Sequence, residues 1–163
     1  MSQARDTAGV VAPPPLIAAI AVALGLLLDR LLPAYVLTVL LSFSERIVIG
    51  GIVMVAGLAL ALPAVFAFRR ANTHVEPWKP SSALVTDGIF RWLRNPMYVG
   101  ATLLLVGFAV LFASDWTLVM TIGFALVVHF GVVKREERYL EAKFGDAYRG
   151  YKAQVSRYGW PPR

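Results

Sequence analysis

The chain has 163 residues, of which 58% are hydrophobic and 16% charged, with a formal net charge of +6 and no cysteine. A length of this order makes one domain, and the composition is more apolar and less charged than that of an ordinary soluble domain. The lack of cysteine excludes disulfides, thiolate metal sites, cysteine nucleophiles and prenylation of the chain itself.

Met1 to Ala12 is polar and is expected to be flexible. Pro13, Pro14 and Pro15 follow, and proline suits a first helical turn, where its missing N–H costs nothing. The apolar run from Leu16 continues past Asp29 and Arg30 to Leu32, giving a first transmembrane helix over residues 14–32. A secretory signal is the rival reading, but Arg5 is balanced by Asp6 and no good cleavage site follows. Tyr35 to Phe43 is too short to span and is expected in the interface or as an extension of a neighbouring helix. Ile47 to Phe68 contains no charge and is the clearest span, with Gly50, Gly51 and Gly57 able to admit a close neighbour. After a polar stretch, residues 96–112 and 116–133 form two further spans joined by the tight turn Ser114-Asp115.

The basic residues orient this arrangement. Arg69, Arg70, Lys79, Arg91 and Arg94 lie between spans two and three, and eight more Lys and Arg follow span four. The intervening turn has none, so both flanks of the last hairpin are expected on the cytoplasmic side. The charge therefore reads as membrane topology, not as a nucleic-acid surface, and no nucleic-acid partner is expected. Lys134 to Phe144 reads as a helix continuing the last span into water. Gly145 breaks it, and Asp146 is expected to cap a second helix with Tyr148, Tyr151 and Val155 on one face. The expected fold is an all-α, polytopic membrane bundle of about four transmembrane helices with a helical cytoplasmic tail over residues 134–157.

Two segments carry more polar sequence than an anchor needs. One runs from Leu84 to Gly100 and contains Asp87-Gly88-Ile89-Phe90 and Arg94-Asn95-Pro96-Met97-Tyr98-Val99-Gly100. The other contains Glu136-Glu137 and Phe144-Gly145-Asp146-Ala147-Tyr148. Carboxylates near a membrane boundary are costly unless paired. His129 reads as a packing residue near the end of span four, and His74 lies in the loop. Two histidines without carboxylates at ligand spacing make no metal motif. There is no dinucleotide fingerprint, no P-loop and no G-x-S-x-G elbow. Read alone, these residues describe a cation-rich polar pocket with two carboxylates and no named ligand.

The order of the two segments resembles the integral membrane methyltransferases, which include isoprenylcysteine carboxyl methyltransferases and phospholipid N-methyltransferases. The similarity lies in the R-N-P-x-Y-x-G element at Arg94 to Gly100, the Glu136-Glu137 pair and the F-G-x-x-Y-x-x-Y element at Phe144 to Tyr151. Asn95 resembles the phospholipid enzymes, whereas the tail resembles the isoprenylcysteine enzymes. The resemblance implies S-adenosylmethionine as cofactor and a lipophilic small molecule or lipid as acceptor, at the cytoplasmic face of a multi-pass membrane protein. It implies cofactor contacts from Leu84, Val85, Phe90, Asn95, Pro96, Met97, Tyr98, Gly100, Glu136 and Glu137. Arg91, Arg94 and Arg135 are candidates to position an anionic substrate group. A membrane reductase using NADPH and a non-enzymatic scaffold are the competing readings.

Overall fold

The computed structural model describes residues 6–159, and every regular element among them is helical. In chain order these are α1 (Pro14–Leu31), the short α2 (Val36–Leu40), α3 (Phe43–Arg70), a 3₁₀ turn at Gly88–Arg91, α4 (Pro96–Phe112), α5 (Asp115–Val128), a π turn at His129–Val133, α6 (Lys134–Phe144) and α7 (Asp146–Gln154). Pro14 and Pro96 stand at helix starts, where proline removes no hydrogen bond. Ser42 and Glu45 form a reciprocal cap that starts α3, so this helix begins before the charge-free run.

α1, α3 and the continuous rod Asp115–Phe144 are long and apolar enough to cross a membrane. α4, with 17 residues, is the shorter apolar helix of the set. At 1.5 Å per residue it extends about 25 Å, slightly less than a typical hydrocarbon core. The multi-pass bundle is therefore built from three full-length helices and this shorter one. The rod changes character at its π turn. Asp115 to Val133 is dominated by apolar residues, whereas Lys134 to Glu141 is mostly charged, so the apolar part of the rod ends at Val133. α3 lies along α4, α4 along α5, and α1 along α5.

Polar groups within the apolar runs are paired at the end of the bundle away from the tail. Asp29 of α1 accepts hydrogen bonds from the Ser114 hydroxyl and the Trp116 N–H. The Trp116 indole donates to the Leu32 carbonyl at 2.7 Å. Asp115 accepts from the Val36 and Leu37 N–H groups, each at 3.0 Å. The Tyr35 to Phe43 region is thus neither a span nor an extension: it holds a separate short helix anchored through its first N–H groups.

Residues 1–5 of the N-terminus expected to be flexible lie outside the described residues. Residues 6–12 do not hang free, but run against the other end of the rod. The π turn diverts the Lys134 N–H five residues back to His129, and the Gly131 carbonyl accepts from the Val11 N–H at 3.2 Å. Arg135 donates to the Gly9 carbonyl at 2.7 Å, and Lys143 and Tyr139 bind the Asp6 carboxylate. Asp146, expected to cap the tail helix, is instead its first residue. The preceding Gly145, at φ +56, makes the break.

The most extensive helix contact is between α3 and α4. Gly57 faces Gly100 and Gly50 faces Gly107, so two glycines seven residues apart on each helix meet in antiparallel register. A Cβ added at Gly57 would lie 2.8 Å from the Gly100 carbonyl oxygen, and one at Gly107 would lie 2.8 Å from that of Gly50. Backbones approach this closely only where side chains are absent. Gly57→Ala and Gly107→Ala are therefore expected to cost about 1–3 kcal/mol each. Gly51→Ala and Gly123→Ala, where an added Cβ meets nothing within 4 Å, are expected to be tolerated. Thermal unfolding of the four variants in detergent tests this, and equal losses at all four positions would refute the packing account.

Candidate functional site

At the tail end of the bundle, the segment between α3 and α4 folds into a wall. Thr73 accepts from the Ser82 N–H at 2.9 Å, and the Ser82 hydroxyl donates to the Asn72 carbonyl at 2.9 Å. The Ser81 N–H donates to the Tyr139 hydroxyl at 3.0 Å, fixing the wall to α6. Gly88, at φ +58, turns the chain into the 3₁₀ segment. Phe90 is buried edge-on against Phe68, with ring centroids 5.3 Å apart. The Phe90 carbonyl accepts from the Tyr151 hydroxyl at 2.8 Å, which ties α7 to the same wall.

Behind the wall is a cleft lined by Leu84, Val85, Phe90, Asn95, Glu136 and Glu137, together with Arg94, Tyr148 and Tyr151. Its core has a volume of about 40 Å³, room for a few water molecules. Two larger spaces adjoin it. An apolar groove of about 350 Å³ shares Val75, Glu76 and Pro77 with the cleft and is completed by Pro14, Pro15, Ala18, Trp78, Met97 and Tyr98. An outer cleft of about 670 Å³ shares Leu84 and Tyr151 and is bordered by Thr86, Arg91 and Gln154.

Glu137 organises the polar side. It is buried, and its carboxylate meets Arg94 at 2.9 Å and Arg157 in a two-bond fork at 2.8 and 2.7 Å. Burial alone would raise its pKa, but the Arg157 and Arg94 guanidinium groups hold it below the ordinary glutamate value. Asn95 donates to the Arg157 carbonyl at 3.2 Å, and the Arg94 N–H donates to the Ser156 carbonyl at 3.0 Å. The Arg94 Nε is buried with no hydrogen-bond partner among the described residues. Glu136 is a different carboxylate. Among the described residues its one hydrogen bond is from the Tyr98 hydroxyl, at 2.9 Å. Loss of water around it, reinforced by the negative Glu137 and opposed by the Tyr98 bond, pushes its pKa up to about 7.

The expected residues divide by position. Leu84, Val85, Phe90, Asn95, Glu136 and Glu137 share the cleft. Met97 and Tyr98 line the apolar groove beside it. Pro96 is buried at the start of α4 and lines neither space. Gly100 faces Gly57 and the backbone of α3, where its lack of a side chain permits helix contact. Of the candidate positioning arginines, Arg94 is in the cleft, Arg91 borders the outer cleft and Arg135 holds the Gly9 carbonyl instead. The wall residues Val75 to Pro77 and the partner role of Arg157 escaped the sequence reading. Only the paired carboxylates hinted that a distant cation was needed.

A model of the phospholipid methyltransferase family matches residues 45–147. The chain is 29% identical over 128 residues to the protein-S-isoprenylcysteine O-methyltransferase of Schizosaccharomyces pombe, covering 76% of this chain and 52% of that protein. It is 30% identical over 112 residues to protein-S-isoprenylcysteine O-methyltransferase A of Arabidopsis thaliana, covering 66% of this chain and 55% of that protein. An uncharacterized protein of Haemophilus influenzae is 39% identical over 62 residues, which are 38% of this chain and 98% of that protein. The match thus spans little more than half the length of the yeast and plant relatives. No solved structure matches the chain.

Removing Glu137 leaves two guanidinium groups facing each other without a counter-ion. Glu137→Ala is expected to lose about 3–5 kcal/mol, the scale for breaking a buried ion pair from one side. Because its folded pKa lies below the unfolded value, this stabilisation is complete above about pH 4.5 and is lost as pH falls through the folded pKa. Thermal unfolding in detergent at neutral and acid pH checks both statements. A loss no larger than that of Glu141→Gln at neutral pH would show that the cluster is dispensable.

Proposed function

The chain belongs to the phospholipid methyltransferase family, and from that premise we propose that it transfers a methyl group from S-adenosylmethionine to a lipophilic acceptor. The observation that carries this reading is the convergence of Leu84, Val85, Phe90 and Asn95 with Glu136 and Glu137 around one cleft, although some forty residues separate the two groups in sequence. The named relatives with an assigned activity are methyltransferases, which disfavours the reductase and scaffold readings.

The donor set fits the cofactor. A recessed carboxylate at Glu136 suits a cationic ligand, the unpartnered Arg94 Nε offers a buried donor, and Leu84, Val85 and Phe90 supply apolar cover. The ligand is larger than the 40 Å³ core, so it would extend into the outer cleft through the gap between Leu84 and Tyr151, or displace the wall. When bound, the cofactor supplies an electrophilic methyl group on a sulfonium. The protein's part is alignment and exclusion of water. Tyr98 fixes the Glu136 carboxylate by its hydrogen bond and also borders the apolar groove. That groove, bounded by Pro14, Pro15, Ala18 and Met97, is where an acceptor's hydrocarbon would lie. The acceptor would approach from the bilayer and the cofactor from water. The basic flanks support a cytoplasmic position for this face of the bundle.

Two outcomes are expected. The purified chain should bind labelled S-adenosylmethionine, and Glu136→Gln should weaken binding by roughly 1.5–3 kcal/mol, with Glu141→Gln as a control. As Glu136 titrates near pH 7, the affinity of the unaltered protein should fall below that pH, because the neutral acid no longer attracts a cation. The variant's affinity should stay flat. Equilibrium binding across pH tests this, and a parallel slope in both proteins would remove Glu136 from the site. In the second experiment, labelled methyl groups should appear in the organic phase of a membrane extract incubated with the protein. Label confined to water-soluble products would reject a lipophilic acceptor.

A further inference from the structure

On the opposite flank of α6 from the N-terminal segment, two grooves meet at the membrane boundary. The first is apolar, about 280 Å³, and runs between α4 and α5 past Tyr98, Leu103, Leu126 and Val128 to His129 and Tyr158. The second, about 310 Å³, is cationic: Lys134, Arg138, Lys152 and Arg157 surround Glu137 and Glu141 above Phe130. Their linings adjoin through two pairs of chain neighbours. His129 and Phe130 are adjacent and their rings stand 4.6 Å apart, while Tyr158 follows Arg157 and accepts or donates a 2.7 Å hydrogen bond with His129. The aromatic pair therefore marks the line where the apolar groove gives way to the charged one.

The charges do not balance. Glu141 pairs with Lys152, and Glu137 is shared between Arg157 and the buried Arg94 on its other side. Lys134 and Arg138 are exposed and have no carboxylate partner among the described residues. The Lys134 ammonium lies 4.8 Å from the centroid of the exposed Phe130 ring. Arg157 gives Nε and Nη2 to Glu137, so its Nη1 hydrogens remain for a further acceptor. Excess positive charge at the mouth of a groove that continues into the bilayer is complementary to one kind of occupant: an anion carrying a hydrocarbon chain.

We propose that the two grooves form one binding site for an anionic phospholipid, with an acyl chain against Leu103 and Leu126 and the phosphate among Lys134, Arg138 and Arg157. The site is separate from methyl transfer and does not depend on that reading, but it adjoins the cleft. Glu137 lines both, so the headgroup and Arg94 lie on opposite sides of one carboxylate.

The test uses the full chain in detergent, titrated with phosphatidylglycerol or phosphatidylcholine, with bound lipid counted by native mass spectrometry. Phosphatidylglycerol should bind more tightly by about an order of magnitude. The double variant Lys134→Ala/Arg138→Ala should erase the difference. Arg69→Ala/Arg70→Ala, which removes the same charge elsewhere on this face, should preserve it. Equal affinity for the two lipids overturns the proposal. So does an equal loss in both double variants, which would mean generic charge attraction. Displacement of the lipid by inorganic phosphate alone would also overturn it, as the site would then recognise phosphate and not lipid.

Discussion

Glu137 sits where three segments that are remote in sequence must meet. Its carboxylate binds Arg94, just before α4, and Arg157, just after α7, while its own backbone belongs to α6. A buried carboxylate in this position cannot be left alone, because ionised groups removed from water need matched partners. Satisfying it brings residues 94–95 against residues 156–157, where Asn95 and the Arg94 N–H complete the junction with backbone bonds. The cleft is the space that this junction encloses. Its wall, its tail helix and the start of α4 are consequently parts of one unit, although the tail helix is remote in the chain from the other two.

The two adjacent glutamates show how one helix supplies opposite electrostatic settings. Glu137 faces two guanidinium groups, which hold its pKa below the ordinary glutamate value against the effect of burial. Glu136, a residue earlier and turned toward α4, meets only a tyrosine hydroxyl and the dry lining of the cleft. The first setting holds the architecture together. The second leaves a carboxylate whose charge is decided by whatever comes to lie beside it.

The helical membrane class was legible because apolar runs and basic flanks are local properties of the sequence. Ile47 to Phe68 needed no tertiary information to read as a helix, and neither did the turn at Ser114-Asp115. The longer extent of α3 came from Ser42 and Glu45, which stand at capping spacing but were overshadowed by the apolar pattern. What depends on pairing between distant elements was not legible. Gly100 closes a motif and has room for a cofactor or a helix, but that its partner is Gly57 becomes visible only once α3 and α4 are laid antiparallel. Arg157 belongs to no motif at all. The docking of Asp6, Gly9 and Val11 likewise rests on contacts across more than a hundred residues, which no local pattern encodes. The cleft was half readable: its motif residues were named, and the loop that roofs it was not.

The π turn between α5 and α6 has a further consequence for how this site could arise or be lost. Such a turn holds one residue more than the α-helical path would, and a helix rotates about 100° for each residue. The extra residue is absorbed within the turn, so the lipid-facing half and the charge-bearing half keep the phase of a regular helix one residue shorter. Deleting one residue between His129 and Val133 would therefore restore a regular α-helix at the cost of one side chain and leave the glutamates facing the cleft. A deletion between the turn and Glu136, with no bulge to absorb it, would instead swing Glu136 and Glu137 about 100° off the cleft and separate Glu137 from Arg94 and Arg157 in a single step. The smallest possible change in length is thus absorbed at the turn and disruptive beyond it, and the spacing from the turn to the glutamates is itself a specified quantity.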